Sequence, residues 1–355
     1  MQELLIVRTS SLGDILHSMP LAGALKRACP ACRVTWLVEE RYADLLSGNP
    51  WVDRIVRVRF RQWRRDLRSA EGRRGWRGLL RYLRKARFDV AIDPQGLLRS
   101  GLLGCWSGAP VRIGFPLGWV REPLNRLFTN VQPASMPARA HVIDRNLALL
   151  HPLGIRTRER SFFFHVPPEI EAEVFSFVEQ AAAAGQGPRV AVHPGAGWPT
   201  KQWAVERFAE VARRLMRQWG ARVFVFWGPG ERGLADRLLG QLPSGACPVP
   251  EMGIKAAIAF LRQCDLFLGG DSGPLHLASA LGRPVVGLFG PSDPVRNGPF
   301  LGHSRVVRAA SPCGPCYRRR CQRPGCMDTI STDRVWCALT ELLTEVQTRR
   351  LEDGH

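Results

Sequence analysis

The sequence has no apolar run long enough to cross a bilayer, which would need about 18 consecutive residues. Its apolar stretches are interrupted earlier, for example by Asp271 and Arg283. A secretory signal is also missing, because the apolar run 4–7 is short and Arg8 follows it at once. Gly and Pro are scattered rather than gathered in tracts, and hydrophobic residues make up 45% of the chain. These absences favour a globular, cytoplasmic protein over a membrane-spanning, exported or disordered one.

Acidic residues are scarce relative to basic ones. The 355-residue chain has 31 Asp and Glu against 50 Lys and Arg, a formal net charge of +19. Much of the excess lies in residues 54–87, which hold thirteen Arg and one Lys against two acidic residues. Such a stretch attracts a polyanion: a nucleic acid, an anionic membrane surface or a phosphorylated substrate. A solvated helix face that only keeps the protein soluble is the alternative.

The length fits two domains, and the pattern of the chain repeats once. Apolar runs typical of strands alternate with helical patterns, which favours parallel sheets built from βαβ units. The predicted strands are 4–7, 34–38, 54–58, 90–93, 111–113, 189–193, 222–226, 265–268 and 285–289. The predicted helices are 14–28, 41–47, 76–86, 97–106, 203–219, 231–240, 254–262 and 274–281. We predict a first domain at 1–165, a linker at 166–188, a second domain at 189–330 and, within 331–355, a helix that packs back on the first domain.

The loop after the first predicted strand is rich in small polar residues. Gly13 allows the backbone to approach a ligand, and Ser10 and Ser11 offer hydroxyls and amides at a helix start. Asp14 follows at the edge of the expected ligand site. Asp14 is a candidate general base, and a helix cap is the alternative interpretation.

Two loops of the second half suit an anionic ligand. Lys201 follows a flexible turn and can reach a phosphate or sugar oxygen as a point charge, although a lone lysine is more often a surface residue. Ser272 is predicted to cap a helix whose free amides attract a diphosphate, and Gly273 permits close approach. Asp271 can accept hydrogen bonds from hydroxyls. His276 follows in the first turn, where a buried structural histidine is the alternative.

These motifs resemble those of glycosyltransferase family 9, the bacterial heptosyltransferases, over nearly the whole chain. The resemblance is carried by residues 271–278, 283–292, 10–14, 92–100 and 121–123, the last two being similar to the heptosyltransferase I subgroup. It implies an α/β chain of the GT-B fold, in which two Rossmann-like doubly wound domains face each other across a cleft. It also implies an inverting transfer of heptose from ADP-heptose to a Kdo hydroxyl of Kdo-lipid A, in lipopolysaccharide inner-core synthesis.

The matching motifs also imply roles for single residues. Asp14 would be the general base. The implied donor-binding residues are Lys201, Glu231, Asp271, Ser272, Gly273 and His276. The predicted acceptor-binding residues are Ser10, Ser11, Gly13, Arg61, Arg64, Arg65 and Arg121.

Such a transfer needs a carboxylate for the acceptor proton and a cationic or amide cradle for the departing ADP, so we predict no cofactor for catalysis. The basic stretch 54–87 would then receive the phosphorylated acceptor at an anionic inner-membrane surface. This places the expected protein on the cytoplasmic face of that membrane as a peripheral protein.

Four of the ten cysteines form a cluster near the end of the second half. Their spacing is C-x2-C-x4-C-x4-C, at Cys313, Cys316, Cys321 and Cys326. In a reducing compartment such a cluster favours metal over disulfide bonds. Structural zinc, four free thiols and an iron–sulfur cluster all stay open as interpretations.

Three other functions also stay open. A related heptosyltransferase would add a later core heptose, and a sugar-nucleotide epimerase on the same scaffold would release free sugar without an acceptor. A non-enzymatic nucleic-acid-binding protein would use the basic stretch and bind with steep salt dependence. The aromatic residues follow no RNA-binding motif, so no nucleic-acid partner is predicted.

Overall fold

A computed structural model describes residues 2–65, 69–182, 187–321 and 325–353 of the protein. The chain divides into two compact units, Met1–His165 and Val166–His355. Each unit is built on one parallel β-sheet flanked by helices. Within the described ranges, no helix is both long and apolar enough to cross a membrane.

The first unit has a five-stranded sheet in the order β3-β2-β1-β4-β5. Its strands are β1 (Glu3–Val7), β2 (Arg33–Glu39), β3 (Arg54–Val58), β4 (Val90–Ile92) and β5 (Val111–Ile113). Its helices are α1 (Leu12–Leu16), α2 (Met19–Ala28), α3 (Phe60–Arg65), α4 (Ala70–Lys85), α5 (Leu98–Trp106) and α6 (Val142–Ala148), with short 3-10 helices at Glu40–Leu45, Pro123–Leu127 and His151–Leu153. The central strand β1 is buried from Leu4 to Val7, as expected where helices cover both faces of a parallel sheet.

The second unit has a six-stranded sheet in the order β11-β10-β9-β6-β7-β8. Its strands are β6 (Arg189–His193), β7 (Arg222–Val225), β8 (Cys247–Pro248), β9 (Leu266–Gly270), β10 (Val285–Phe289) and β11 (Ser304–Arg308). Its helices are α7 (Pro168–Ala182), α8 (Val205–Trp219), α9 (Arg232–Leu239), α10 (Ile254–Gln263), α11 (Gly273–Ala280), α12 (Pro294–Asn297) and α13 (Thr332–Asp353), with 3-10 helices at Pro199–Lys201 and Cys326–Thr329. Counted from β6, this is the 3-2-1-4-5-6 order of dinucleotide-binding sheets.

Both sheets reverse their chain order at the centre, where β1 lies beside β4 and β6 beside β9. Because the strands are parallel, the loops that follow neighbouring strands leave the same edge of the sheet. Ligands of doubly wound sheets bind at that edge, next to the point of reversal. The fold therefore places the candidate loops that follow β1 and β4 in one unit, and β6 and β9 in the other, at two such points.

The predicted helix 14–28 is two helices, α1 and α2, separated at His17 and Ser18. Pro20 explains the break, because it has no backbone N–H and is compatible only with the first turn of a new helix.

The ends of the second unit also differ from the prediction. The segment 166–188 was predicted as a linker, but it contains α7, which packs against α10 through an ion pair of Arg262 with Glu171. The last helix, α13, packs on α8, β10 and β11 of the second unit rather than back on the first. Its apolar residues, such as Leu339, belong to the core of that unit, and Glu341 pairs with Arg305 of β11.

Candidate active site

Asp14 lies in α1, just beyond the carboxyl end of β1. Its Oδ1 atom is 2.8 Å from Nη2 of Arg8. Its Oδ2 atom accepts hydrogen bonds from the amide and the hydroxyl of Ser11, at 3.2 and 2.9 Å. Asp14 therefore does cap the helix start. The side chain is nevertheless 34% exposed, which leaves the carboxylate accessible to a substrate hydroxyl.

The surroundings keep Asp14 ionised. Desolvation raises the pKa of Asp14, but the Arg8 guanidinium, the hydrogen bonds from Ser11 and the charge of Arg121 together outweigh it and hold the pKa below its usual value. At neutral pH the side chain is thus a carboxylate, the form that a general base needs.

The loop after β4 is fastened to the loop after β1. Nη1 of the buried Arg8 donates to the Pro94 carbonyl at 2.5 Å, and the amide and hydroxyl of Thr9 both donate to Oε1 of Gln95. Arg99 adds a longer bond to the Thr9 hydroxyl, at 3.3 Å. The loops after β1 and β4 are therefore held together by hydrogen bonds next to Asp14.

Asp93 organises the loop after β4 from inside. Its carboxylate accepts hydrogen bonds from the amides of Gln95 and Gly96, the hydroxyl of Ser100 and the side-chain amide of Asn125. Burial raises the pKa of Asp93 in spite of these bonds. Because its oxygens are already engaged and the residue is buried, Asp93 holds the loop in place rather than exchanging protons with a substrate.

The predicted acceptor residues have different outcomes. Ser10 and Ser11 lie in the loop that leads into α1, and Gly13 lies in the first turn of that helix. The charge of the exposed Arg121 acts on Asp14. These four are gathered around the candidate base. The remaining three, Arg61, Arg64 and Arg65, belong to α3, but their side chains lie outside the described residues.

In the second unit, Lys201 is buried, so the surface-lysine alternative does not hold. Its Nζ atom donates to Oδ2 of Asp271 at 2.5 Å and lies 3.8 Å from the centre of the Trp198 ring. The other carboxylate oxygen of Asp271 is 3.0 Å from Nε2 of His276. Burial raises the pKa of Asp271, but His276 and Lys201 lower it by more than burial raises it. The pKa therefore lies below its usual value, and this carboxylate stays ionised. Loops after β6 and β9 thus combine into one buried polar cluster.

The first turn of α11 completes this cluster. Ser272 occupies the N-cap position in extended conformation, as predicted, but its side chain makes no capping hydrogen bond; Gly273 and Pro274 form the first helical positions. The hydroxyl of Ser272 is buried and has no hydrogen-bond partner within the described structure. A helix start offers free amides and a partial positive charge, which together with Lys201 suit a diphosphate.

Glu231 is clamped by the end of β6 and the loop after β7. Its Oε2 atom is 3.0 Å from Nε2 of the buried His193 and accepts a hydrogen bond from the Gly228 amide at 2.8 Å. A side chain at Gly195 would collide with the same carboxylate, since a Cβ atom there would lie 2.2 Å from Oε1. Burial raises the pKa of Glu231, but His193 and the Gly228 amide lower it by more, so the pKa lies below its usual value. A fixed carboxylate of this kind is suited to accept hydrogen bonds from a sugar diol.

Sequence reasoning missed Arg8, His193 and Trp198, which hold the predicted residues in position. Arg8 and His193 each stand at the end of a central strand, a signal that could have pointed to both. Arg8 and Asp14 belong to the same β1–α1 connection, whereas His193 and Glu231 lie on different connections and meet only through the fold.

The four cysteines of the predicted metal site lie between β11 and the start of the 3-10 helix Cys326–Thr329. Among the described residues, which include all four predicted ligands, no group of three or more His, Cys, Asp or Glu side chains is placed to hold a metal ion. The loop instead contacts the donor side: the Thr200 hydroxyl donates to the Arg318 carbonyl, and the Arg319 guanidinium lies 5.2 Å from the Trp198 ring centre.

Comparisons with known proteins agree with these motifs. The model of glycosyltransferase family 9 (heptosyltransferase) matches residues 76–326. Lipopolysaccharide heptosyltransferase 1 of Pseudomonas aeruginosa is 30% identical to this chain and covers 98% of it, and the match spans 100% of that protein. The protein of the same name from Escherichia coli K12 is 28% identical, over 86% of this chain and 93% of its own.

Solved structures give a similar result. A heptosyltransferase of E. coli with ADP is 26% identical, with a TM-score of 0.78 over 96% of this chain and 100% of the other. A structure of that heptosyltransferase with ADP-2-deoxy-2-fluoro heptose is 25% identical, with a TM-score of 0.74 over 96% and 99% of the two chains.

Proposed function

Because the chain belongs to glycosyltransferase family 9, the heptosyltransferases, we propose that it moves a heptose from ADP-heptose to a Kdo hydroxyl of Kdo-lipid A in lipopolysaccharide inner-core synthesis. Membership confirms the family and the GT-B class expected from the motifs, and the chain is a glycosyltransferase. The donor, the acceptor and the inverting outcome are the proposal.

The observation that carries the donor proposal is the buried cluster of Lys201, Asp271 and His276 beside the start of α11. The ammonium and the helix amides suit the negative charge of a diphosphate, and Asp271 suits the hydroxyls of a sugar. Glu231 supplies a second fixed carboxylate for the ribose of the nucleotide. A ligand with a diphosphate between two sugars, such as ADP-heptose, matches these groups.

Asp14 supports the acceptor half of the reaction. In the proposed step, the acceptor hydroxyl gives its proton to Asp14, and its oxygen bonds to the anomeric carbon of the heptose on the face opposite ADP. The bond from that carbon to the phosphate oxygen breaks, and ADP leaves with the electron pair. Lys201 and the α11 amides stabilise the charge that develops on ADP, so the step as proposed needs no metal.

The first core heptose is favoured over a later one by the comparisons. The relatives named heptosyltransferase 1 from P. aeruginosa and E. coli K12 are 30% and 28% identical over 98% and 86% of the chain, whereas the E. coli K12 protein named heptosyltransferase 2 is 26% identical over 86% of it. The difference is small. A transfer assay is therefore needed to assign the acceptor.

Mass spectrometry after incubation with ADP-heptose tests the proposal. Kdo-lipid A should gain one heptose, and lipid A without Kdo should gain none. Transfer only to an acceptor that already carries a heptose would assign the protein to a later step. Free sugar released without acceptor would favour an epimerase, and binding to RNA or DNA without any transfer would favour the non-enzymatic alternative.

A peripheral position at an anionic inner-membrane surface, on its cytoplasmic side, is supported by the charge of α4. The helix buries a narrow apolar stripe that includes Leu79 and Leu83 and turns a basic face outward. The exposed cations are Arg73, Arg74, Arg77, Arg81, Arg84 and Lys85. Each such charge near an anionic surface contributes about 1 kcal/mol of attraction.

Structural zinc at Cys313, Cys316, Cys321 and Cys326 stays a prediction. Elemental analysis of protein purified without chelator should show about one zinc per chain if the prediction is right. Four titratable thiols without zinc or iron would end the idea.

A further inference from the structure

The first unit exposes an unusual group of leucines. Among the described residues, the four most exposed large apolar side chains are Leu127 (75%), Leu117 (70%), Val295 (59%) and Leu124 (58%). Single exposed apolar residues are ordinary and need no explanation. Three of these four, however, lie within eleven residues of each other in the sequence, on the segment 116–128 that follows β5.

The segment presents its leucines and its arginines together. Leu124 and Leu127 both belong to the 3-10 helix Pro123–Leu127, where residues three apart share a face. Leu117 lies in the turn just before it, and Arg121 between them is exposed. Within the segment 116–128 the chain has two arginines, Arg121 and Arg126, and one acidic residue, Glu122. Exposed leucines beside cations are typical of elements that lie in a membrane interface.

The inner side of the same 3-10 helix is fastened to the candidate acceptor site. The side-chain amide of Asn125, which is fully buried, donates to Asp93 at 2.6 Å and to the Leu97 carbonyl at 2.7 Å. The amides of Arg121 and Glu122 both donate to the Gly96 carbonyl. The segment that carries the leucines is therefore hydrogen-bonded directly to the loop after β4, beside Asp14.

We propose that Leu117, Leu124 and Leu127 insert into the boundary between headgroups and acyl chains of an anionic bilayer and hold the acceptor loop at its surface. The positive charge of Arg121, and of the basic face of α4 in the same unit, complements anionic headgroups. This complementarity favours an anionic bilayer over a protein as the partner of the leucines. The inference deepens the proposed function, since it rests on an acceptor embedded in a membrane. Lipid binding itself can be measured without any transfer.

The test uses the full chain and vesicles of phosphatidylcholine with phosphatidylglycerol, measured by co-sedimentation. Leu117, Leu124 and Leu127 are changed together to serine. The matched control changes three exposed apolar residues outside the segment, Phe175, Val295 and Val306, to serine as well. Circular dichroism melts confirm that both triple variants fold.

The leucine variant should bind vesicles about 10- to 100-fold more weakly than wild type, because three apolar side chains no longer leave water. At about 0.5 M salt, where charge attraction is screened, only proteins with the leucines should keep residual binding. The control variant should match wild type. Replacing the three leucines by phenylalanine should leave vesicle binding close to that of wild type. This second variant tests the inference even if the serine variant does not fold.

Equal binding by wild type and the leucine variant, or an equal loss in the control, overturns the inference. Activity separates it from the proposed function. The leucine variant should lose kcat/KM on vesicle-borne Kdo-lipid A and keep it on a soluble, delipidated acceptor. Absence of transfer by wild type to either acceptor would refute the proposed function, while the vesicle result would still decide the role of the leucines.

Discussion

The two candidate sites occupy the same place in their sheets but differ in burial and in charge. In the second unit, Lys201 and Asp271 are buried and neutralise each other. In the first unit, Asp14 is one-third exposed and is surrounded by cations, Arg8 and Arg121. A buried, charge-matched cluster suits a small ligand that it encloses, whereas an open cationic loop suits a large acidic ligand that it covers only in part. Related sheets thus acquire different ligands through their loops.

If the division is right, chemistry depends on the first site and donor affinity on the second. Asp14→Asn removes the proton acceptor at nearly constant size. Turnover should fall roughly 10²- to 10⁴-fold, the usual contribution of a positioned base, while ADP affinity measured by calorimetry stays as in wild type. An unchanged melting temperature would show that the fold is intact. Turnover within about tenfold of wild type would leave Asp14 only its role as a helix cap.

The converse change is Lys201→Ala, which should weaken ADP binding and leave acceptor recognition unaffected. Loss of one charged hydrogen bond costs about 1.5–3 kcal/mol, or roughly 10- to 150-fold in the dissociation constant. Calorimetry with ADP measures the effect. Lys85→Ala is the matched control, because Lys85 is an exposed lysine of α4 in the other unit. Unaltered ADP affinity in Lys201→Ala would show that the diphosphate does not bind at this cluster. The proposed difference between the two sites would then not hold.

The sequence predicted every strand except β8 and β11, and the edge strands β3 and β5 of the first sheet were predicted with their observed bounds. β6 was predicted with its observed bounds, because a covered parallel strand is a continuous apolar run. β8 has two residues and β11 carries Arg305 and Arg308, so neither shows such a run. In the sites, motifs pointed to Asp14, Lys201 and Asp271. The partners of such residues stayed hidden, since His193 and Glu231 are 38 residues apart and meet only through the fold.

The role of positive charge in acceptor binding at the first site can be tested at Arg61, Arg64 and Arg65, which the sequence analysis predicts to be acceptor-binding residues. Each is changed to alanine and assayed with a soluble, delipidated acceptor, so that membrane attraction plays no part. Specific recognition predicts a rise of the acceptor KM at one or two positions, by about tenfold for a charged hydrogen bond, with the ADP-heptose KM unmoved. Equal, small effects at all three positions would leave only general attraction to a surface.

The smallest expected effect at neutral pH concerns Arg8, which should set the pH range of the first site rather than its maximal rate. Desolvation favours the protonated form of Asp14, and the Arg8 guanidinium is the strongest influence that opposes it. Arg8→Gln should therefore raise the pKa of Asp14. Since only the carboxylate accepts a proton, the acid limb of kcat/KM should move to higher pH, whereas Arg8→Lys should leave it near its wild-type position.

Stability should follow the same sign. A carboxyl group whose pKa is lowered in the folded state stabilises the fold above its unfolded pKa, and this contribution is lost as the pH falls through the folded value. Wild type should therefore exceed Arg8→Gln in melting temperature by more at pH 7 than near pH 4, an acidity chosen close to the usual aspartate value. An acid limb that does not move, with a stability difference independent of pH, would mean that Arg8 only fastens the loop to Pro94. The first site would then owe its charge balance to Arg121, which is exposed and open to the acceptor.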